Sequence, residues 1–162
     1  MTLVLSTAQR QQITDQAQQA YPEECCGLLL GPMAVVRRRV LAVMPLVNQW
    51  TADVAAITDP AVDSPPCDRT RQQRYWIDPQ DLLRAERAAR DRGWVILGVY
   101  HSHPDHPAVP SECDRALAWS AYSYPILAVE KGQVTDLQSW RLDEVHQFQP
   151  EPIEYEDVAN AI

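Results

Sequence analysis

No stretch of this chain approaches the ~20 consecutive apolar residues that a membrane-spanning helix needs. Its start, MTLVLSTAQRQQ, has no basic segment leading into a long apolar one. A cytoplasmic protein without a membrane partner is the expectation. Positive charge is also scarce: 14 Lys and Arg stand against 22 Asp and Glu, for a formal charge of −8. That balance argues against nucleic acid as a partner, because phosphate binding depends on clustered Lys and Arg that release counterions. The one basic run, Arg37-Arg38-Arg39, reads as the solvated part of a strand or hairpin, with contact to an acidic partner as the alternative. Cysteine is too sparse for a disulfide scaffold: four residues, Cys25, Cys26, Cys67 and Cys113, include an adjacent pair that makes a poor framework. Reduced thiols are therefore expected. No internal repeat is visible.

What is present fits one domain with a substantial core: 162 residues, 46% of them apolar and 22% charged. Residues 6–20 are rich in Gln and Ala and free of Gly and Pro, which predicts a surface helix capped by Ser6 or Thr7 and ended at Tyr21-Pro22. The run 24-ECCGLLLG-31 reads as a buried strand and 35-VVRRRVLAVMPLV-47 as a second, longer one. From 49 to 73 the texture turns to Asp and Pro without periodicity, and a loop of that length in a compact domain tends to be functional or disordered. Asp78-Pro79 starts a helix that runs to Gly93. Beyond it the pattern predicts a strand from Trp94, a helix from Ser111 to about Tyr122, a strand at 125–132 with its hairpin partner at 133–142, and an extended acidic tail from about 147. Strands interleaved with helices, with at least one antiparallel hairpin, give an α/β fold: a mixed sheet flanked by helices.

The densest chemistry lies in 98-GVYHSHPDHPAVPSECD-114. If the strand from Trp94 continues through His103, then His101 and His103 share a face, ~6.5–7 Å apart, and can converge on one ion. Ser111 and Asp114, three apart at a helix start, are neighbours on one face as well. A His-His-Asp set leaves zinc a fourth position open to water. Ser111 and Asp114 also satisfy a helix capping signature, which would account for them with no catalytic role. Pro104, Pro107 and Pro110 can be loop punctuation.

In order, His101-Ser102-His103, seven residues, Ser111, two residues and Asp114 resemble the signature of the JAMM (MPN+) zinc metalloproteases. The upstream 22-PEECCGLLLG-31 is similar to that family's P-x-E-x-C-G motif and puts Glu24, not Glu23, in its glutamate position. The tracts 75-YWIDP-79 and 97-LGVYHSHP-104 fit as well, and the resemblance spans roughly residues 10 to 145. It implies a single JAMM/MPN+ domain over 1–162, of cytidine-deaminase-like fold, with a variable loop at 49–73 that shapes substrate choice. It implies one zinc per chain on His101, His103 and Asp114, with a water in the open position, Glu24 as general base and Ser111 as a catalytic hydrogen-bond donor. The implied substrate is a ubiquitin-like or sulfur-carrier protein of the β-grasp type, cut at a peptide or isopeptide bond after its Gly-Gly tail.

Three rivals stand beside this. Cys26 near His101 suggests a thiol protease, although a buried strand cysteine is usually a small core residue. A zinc nucleobase deaminase needs H-x-E with P-C-x-x-C, and this chain has H-S-H and PEECC instead. A catalytically inactive MPN-type scaffold would bind a ubiquitin-like partner without cutting it. Cys113 reads as packing rather than a soft zinc ligand, and His106 as an exposed loop residue rather than a donor behind the site.

Overall fold

The computed structural model describes residues 1–51, 53–54 and 70–156. Most of the expected 49–73 loop, Cys67 and the last residues of the acidic tail lie outside the described residues. The elements run β1 (Thr2–Leu5), α1 (Thr7–Ala20), β2 (Cys26–Gly31), β3 (Arg37–Arg39), β4 (Ala42–Leu46), α2 (Pro79–Arg90), β5 (Val95–Pro104), α3 (Glu112–Leu117), β6 (Tyr124–Glu130), β7 (Gln133–Leu142), β8 (Phe148–Glu151) and β9 (Ile153–Tyr155). No helix among the described residues is long and apolar enough to cross a membrane.

A six-stranded mixed sheet has the order β4-β2-β5-β6-β7-β8, and a three-stranded sheet the order β3-β1-β9. In the larger sheet only β5 and β6 run parallel; its other pairs are antiparallel. β2 is buried at every position, as a central strand covered on both faces must be. Its alternation sends Leu29 to one core, with Leu3, Leu5, Ile13, Tyr100 and Leu127, and Leu28 and Leu30 to a second core with Ala85, Ala89 and Val99. The first core is closed by α1 and the small sheet, the second by α2.

The helix starts follow their chemistry. Ser6 caps α1 with a capping box: its Oγ accepts the Gln9 N–H at 3.1 Å while Gln9 Oε1 accepts the Ser6 N–H at 2.9 Å. Asp78 caps α2 through the Gln80 N–H at 2.7 Å, with Pro79 at the first helical position. Lys131 and Gly132 turn the β6–β7 hairpin in left-handed conformations, φ 49° and 82°.

The structure corrects three expectations and adds one strand that none of them covered. Residues 35–47 are two strands, because the chain changes partner: Val40 donates to Val4 O and Leu41 to Leu30 O, so β3 pairs with β1 and β4 with β2. The helix after Ser111 stops at Leu117; Ala118 is extended, and the Tyr124 hydroxyl accepts the Trp119 N–H at 2.6 Å. Thr2–Leu5, too short to carry a clear period, is the middle strand of the small sheet. Within the arginine triplet only Arg37 and Arg39 are solvated, each paired with acids of the C-terminal strand region, while Arg38 points inward and is buried.

The six-stranded sheet admits the 118–123 segment at Gly98, where Val99 donates to Ser123 O at 3.0 Å and Ser123 to Leu97 O at 2.9 Å. A methyl on Gly98 would collide with the Ser123 carbonyl. Gly98→Ala is therefore expected to lose about 1–3 kcal/mol in urea unfolding; an unchanged midpoint would show that this contact is slack.

Candidate active site

The site grows out of strand register. β2 and β5 pair antiparallel with Cys26 opposite His101, Cys25 meets Ser102 just beyond that pair, and Glu24 leaves the ladder, its N–H donating to Arg71 O at 2.8 Å. Ser102, between the two histidines, points away from them. Its Oγ accepts the Cys25 N–H at 2.8 Å and its own N–H donates to Cys25 O at 3.2 Å, which extends the contact between the strands to Cys25, next to Glu24. Asn48, at the end of β4, ties in two more segments. Its amide donates to Glu24 O at 3.1 Å and Arg74 O at 2.8 Å, and its Oδ1 accepts the N–H groups of Trp50 and Trp76 at 3.0 and 3.1 Å.

On the opposite face of β5, His101 and His103 project together, with Nε2 atoms 3.0 Å apart. Asp114 approaches from α3, with Oδ1 3.1 Å from His101 Nε2 and Oδ2 3.5 Å from His103 Nε2. The three ligand atoms lie within 4.8 Å of one another. Tetrahedral ligands ~2.0–2.1 Å from zinc are spaced ~3.3–3.4 Å apart, so this donor set matches such an ion. His103 Nδ1 lies 2.9 Å from Pro107 O, and donation to that carbonyl leaves Nε2 as a bare lone pair. Burial lowers the His101 pKa, which favours the neutral, ligating form. The Tyr75 ring stacks on His101 at 4.6 Å and 27°, fixing its plane.

The capping reading of Ser111 and Asp114 is realised, and it leaves one oxygen of Asp114 for the histidines. Ser111 Oγ accepts the Asp114 N–H at 3.2 Å, and Asp114 Oδ2 accepts the Ser111 N–H and hydroxyl, each at 2.6 Å. The same carboxylate turns Oδ1 to the histidines. Burial opposes its ionisation, yet His101 and His103 hold it well below the usual carboxylate range.

Glu24, Ser111 and His103 line one cleft of about 440 Å³, with Arg74, His106 and Val109 on its walls. Glu24 is 5% exposed. Burial first, then the Asp114 charge, raises its pKa well above the normal value, with Arg74 opposing. His106 is exposed on the cleft wall. Cys26 is fully buried and its thiol pKa is pushed up by burial, so the protonated form prevails and the thiol-protease reading fails.

Cys25 and Cys26 are free thiols, but Cys113 is disulfide-bonded, which corrects the expectation of reduced thiols at that position. Disulfides depend on Cα atoms coming within about 7 Å, and the sequence pattern gave no sign of such proximity. The bond also removes Cys113 as a thiolate ligand. Sequence reasoning missed the positioning roles of Ser102, Asn48 and Tyr75. The only signals were a hydroxyl between the histidines and a lone Asn where strand texture ends.

Comparison with known proteins agrees with this geometry. Residues 6–143 match the family model described as prokaryotic homologs of the JAB domain. The "Desampylase" of Haloferax volcanii is 33% identical over 128 residues, 78% of this chain and 76% of that protein. The "Probable TtuB-protein conjugate cleaving protease" of Thermus thermophilus is 34% identical over 93 residues, 57% of this chain and 47% of the relative, so the match spans about half of that protein. The solution structure of a Desulfitobacterium hafniense protein superposes with a TM-score of 0.75 at 29% identity, covering 98% of this chain and 96% of the other. This chain belongs to the prokaryotic JAB-domain family, in agreement with the fold and with the motif that runs from Glu24 to Asp114.

Proposed function

We propose that this protein is a zinc-dependent hydrolase that cuts a peptide or isopeptide bond following the Gly-Gly tail of a ubiquitin-like or sulfur-carrier protein. The observation that carries the reading is the meeting of His101 Nε2, His103 Nε2 and the Asp114 carboxylate at one point, beside a cleft that also holds Glu24 and Ser111. A relative named as cleaving protein conjugates supports the substrate class.

His101, His103 and Asp114 would hold the ion. Zinc there would supply a Lewis acid and make a water acidic near neutral pH. The other roles belong to side chains of this chain. Glu24, which lines the cleft with His103, takes a proton from the attacking water and returns it to the leaving amine. Its raised pKa suits a group that must hold a proton during turnover. Ser111 donates a hydrogen bond to the oxygen that gains charge at the scissile carbonyl. Pro107 fixes the His103 tautomer and Tyr75 the His101 plane, so the ligands need not reorganise. An extended Gly-Gly tail, lacking side chains, fits a narrow cleft, and main-chain hydrogen bonds could secure it.

The test is cleavage of a β-grasp carrier whose Gly-Gly tail is extended by a short peptide, with zinc supplied. Wild type is expected to release the peptide. Glu24→Gln is expected to bind zinc as well as wild type and to release none. Intact carrier with the wild-type protein would instead support a non-cutting scaffold, and full activity in Glu24→Gln would remove Glu24 as the base. Ser111→Ala should lower kcat by ~10²–10³, read in the same assay; a change in KM alone would assign Ser111 to substrate binding.

A further inference from the structure

A second cavity of about 640 Å³ opens near the start of β5, bordered by residues of β3, α2, β5 and β7. Leu97 at this cavity and His103 at the cleft are six residues apart on one strand, ~20 Å at ~3.3 Å per residue. A ligand here would not touch the cleavage site. The volume falls within the ~300–1,000 Å³ usual for small-molecule sites.

The cavity's chemistry opposes that of the chain as a whole. Arg38, Arg90 and Arg141 line it against one acid, Glu86, on a protein of net charge −8. Arg38 is only 5% exposed. Its guanidinium donates to Ser123 Oγ at 2.8 Å, Leu97 O at 2.6 Å and Ala121 O at 2.8 Å, all neutral acceptors. Arg141 donates to Ser120 O at 3.1 Å and to the Met1 sulfur. Among the described residues neither Arg38 nor Arg141 has a carboxylate within ion-pair distance, whereas Arg37 and Arg39, on either side, do. Glu151 acts on Arg38 only from a distance, and burial together with the Arg141 charge lowers the Arg38 pKa. A buried cation without a counterion is costly, and an anion entering the cavity would offset that cost. The other walls are apolar: Trp94, Ile96 and Tyr122, with Met33 and Val35 at the rim exposed at 79% and 71%.

We propose that this cavity binds a small organic anion, a carboxylate or a phosphate monoester on an aromatic or aliphatic body, with its charge on Arg38 and Arg141 and its body against Trp94, Ile96 and Tyr122. The neutral reading of Arg38, as a clip joining β3 to β5 and the 121–123 segment, explains its hydrogen bonds. It does not explain a second arginine without a carboxylate partner among the described residues, or an apolar vestibule, at the same cavity.

The test is a titration of the full chain with benzoate, phenyl phosphate and the neutral isostere benzyl alcohol, followed by amide chemical shifts. Saturable shifts at Ile96, Leu97 and Ala121, absent at His101, His103 and Ser111, are expected for at least one anion and not for benzyl alcohol. The tighter of the two anions identifies the head group. Arg141→Gln, which leaves Arg38 in place, should weaken binding by at least about tenfold, the loss of one charge-assisted hydrogen bond. Its urea midpoint should stay at the wild-type value. Arg38→Gln should abolish binding if it folds. Equal binding of benzyl alcohol, shifts undiminished in Arg141→Gln, or no saturable shift with either anion would each overturn the proposal. The last result, paired with shifts from an acidic protein, would make the patch a protein-docking surface instead.

Discussion

The antiparallel pairing of β2 with β5 is the constraint on which the site depends. Side chains alternate along a strand, so one register choice decides which residues face the cleft, and a slip of one would separate Glu24 from the two histidines onto opposite faces. Ser102 secures the register with a hydroxyl that accepts the Cys25 N–H. A small polar residue between the histidines is therefore part of how the glutamate is placed. The parallel pairing of β5 with β6 adds the remaining parts. Parallel neighbours require a crossover connection, and the crossover from Asp105 to Ser123 carries Ser111 and Asp114 back over the end of β5.

Electrostatics at this junction oppose folding. Two carboxyl groups, Glu24 and Asp114, share one poorly hydrated region, and the Asp114 charge raises the Glu24 pKa. His101 is buried with Nδ1 unpartnered among the described residues, and two Nε2 atoms face one another at hydrogen-bond distance. A divalent cation satisfies both nitrogens and the carboxylate together, which a single proton cannot do. The strain at the cluster is thus the kind that metal binding relieves.

Much of this was legible in the sequence because it depends on local chemistry. Ser6, Asp78 and Ser111 sit at helix starts because their oxygens satisfy the first free N–H groups, and the Lys131-Gly132 turn follows from backbone preference. The site residues were legible because H-x-H on a strand and S-x-x-D at a helix start each keep their members on one face. What escaped depended on contacts distant in sequence. Residues 35–47 carry no Gly or turn signal at the point where the partner changes, yet Val40 and Leu41 bond to different strands, which no periodicity records. The length of α3 is set by the Tyr124 hydroxyl taking the Trp119 N–H. Asn48 holds the site through four hydrogen bonds to separate segments and Tyr75 through one ring stack, and the disulfide at Cys113 depends on three-dimensional proximity. The inward turn of Arg38 within a basic triplet follows from strand alternation, once Arg37 and Arg39 are drawn to Glu154 and Glu156.

The central claim is that His101, His103 and Asp114 form a metal site, and the most direct measurement is the zinc content of the protein purified without added metal, beside Asp114→Ala prepared identically. The account predicts about one zinc per chain in the wild type and its loss in the variant. A wild-type protein that takes up no zinc even when it is supplied would contradict it, leaving the three side chains as a buried polar cluster at the end of a strand.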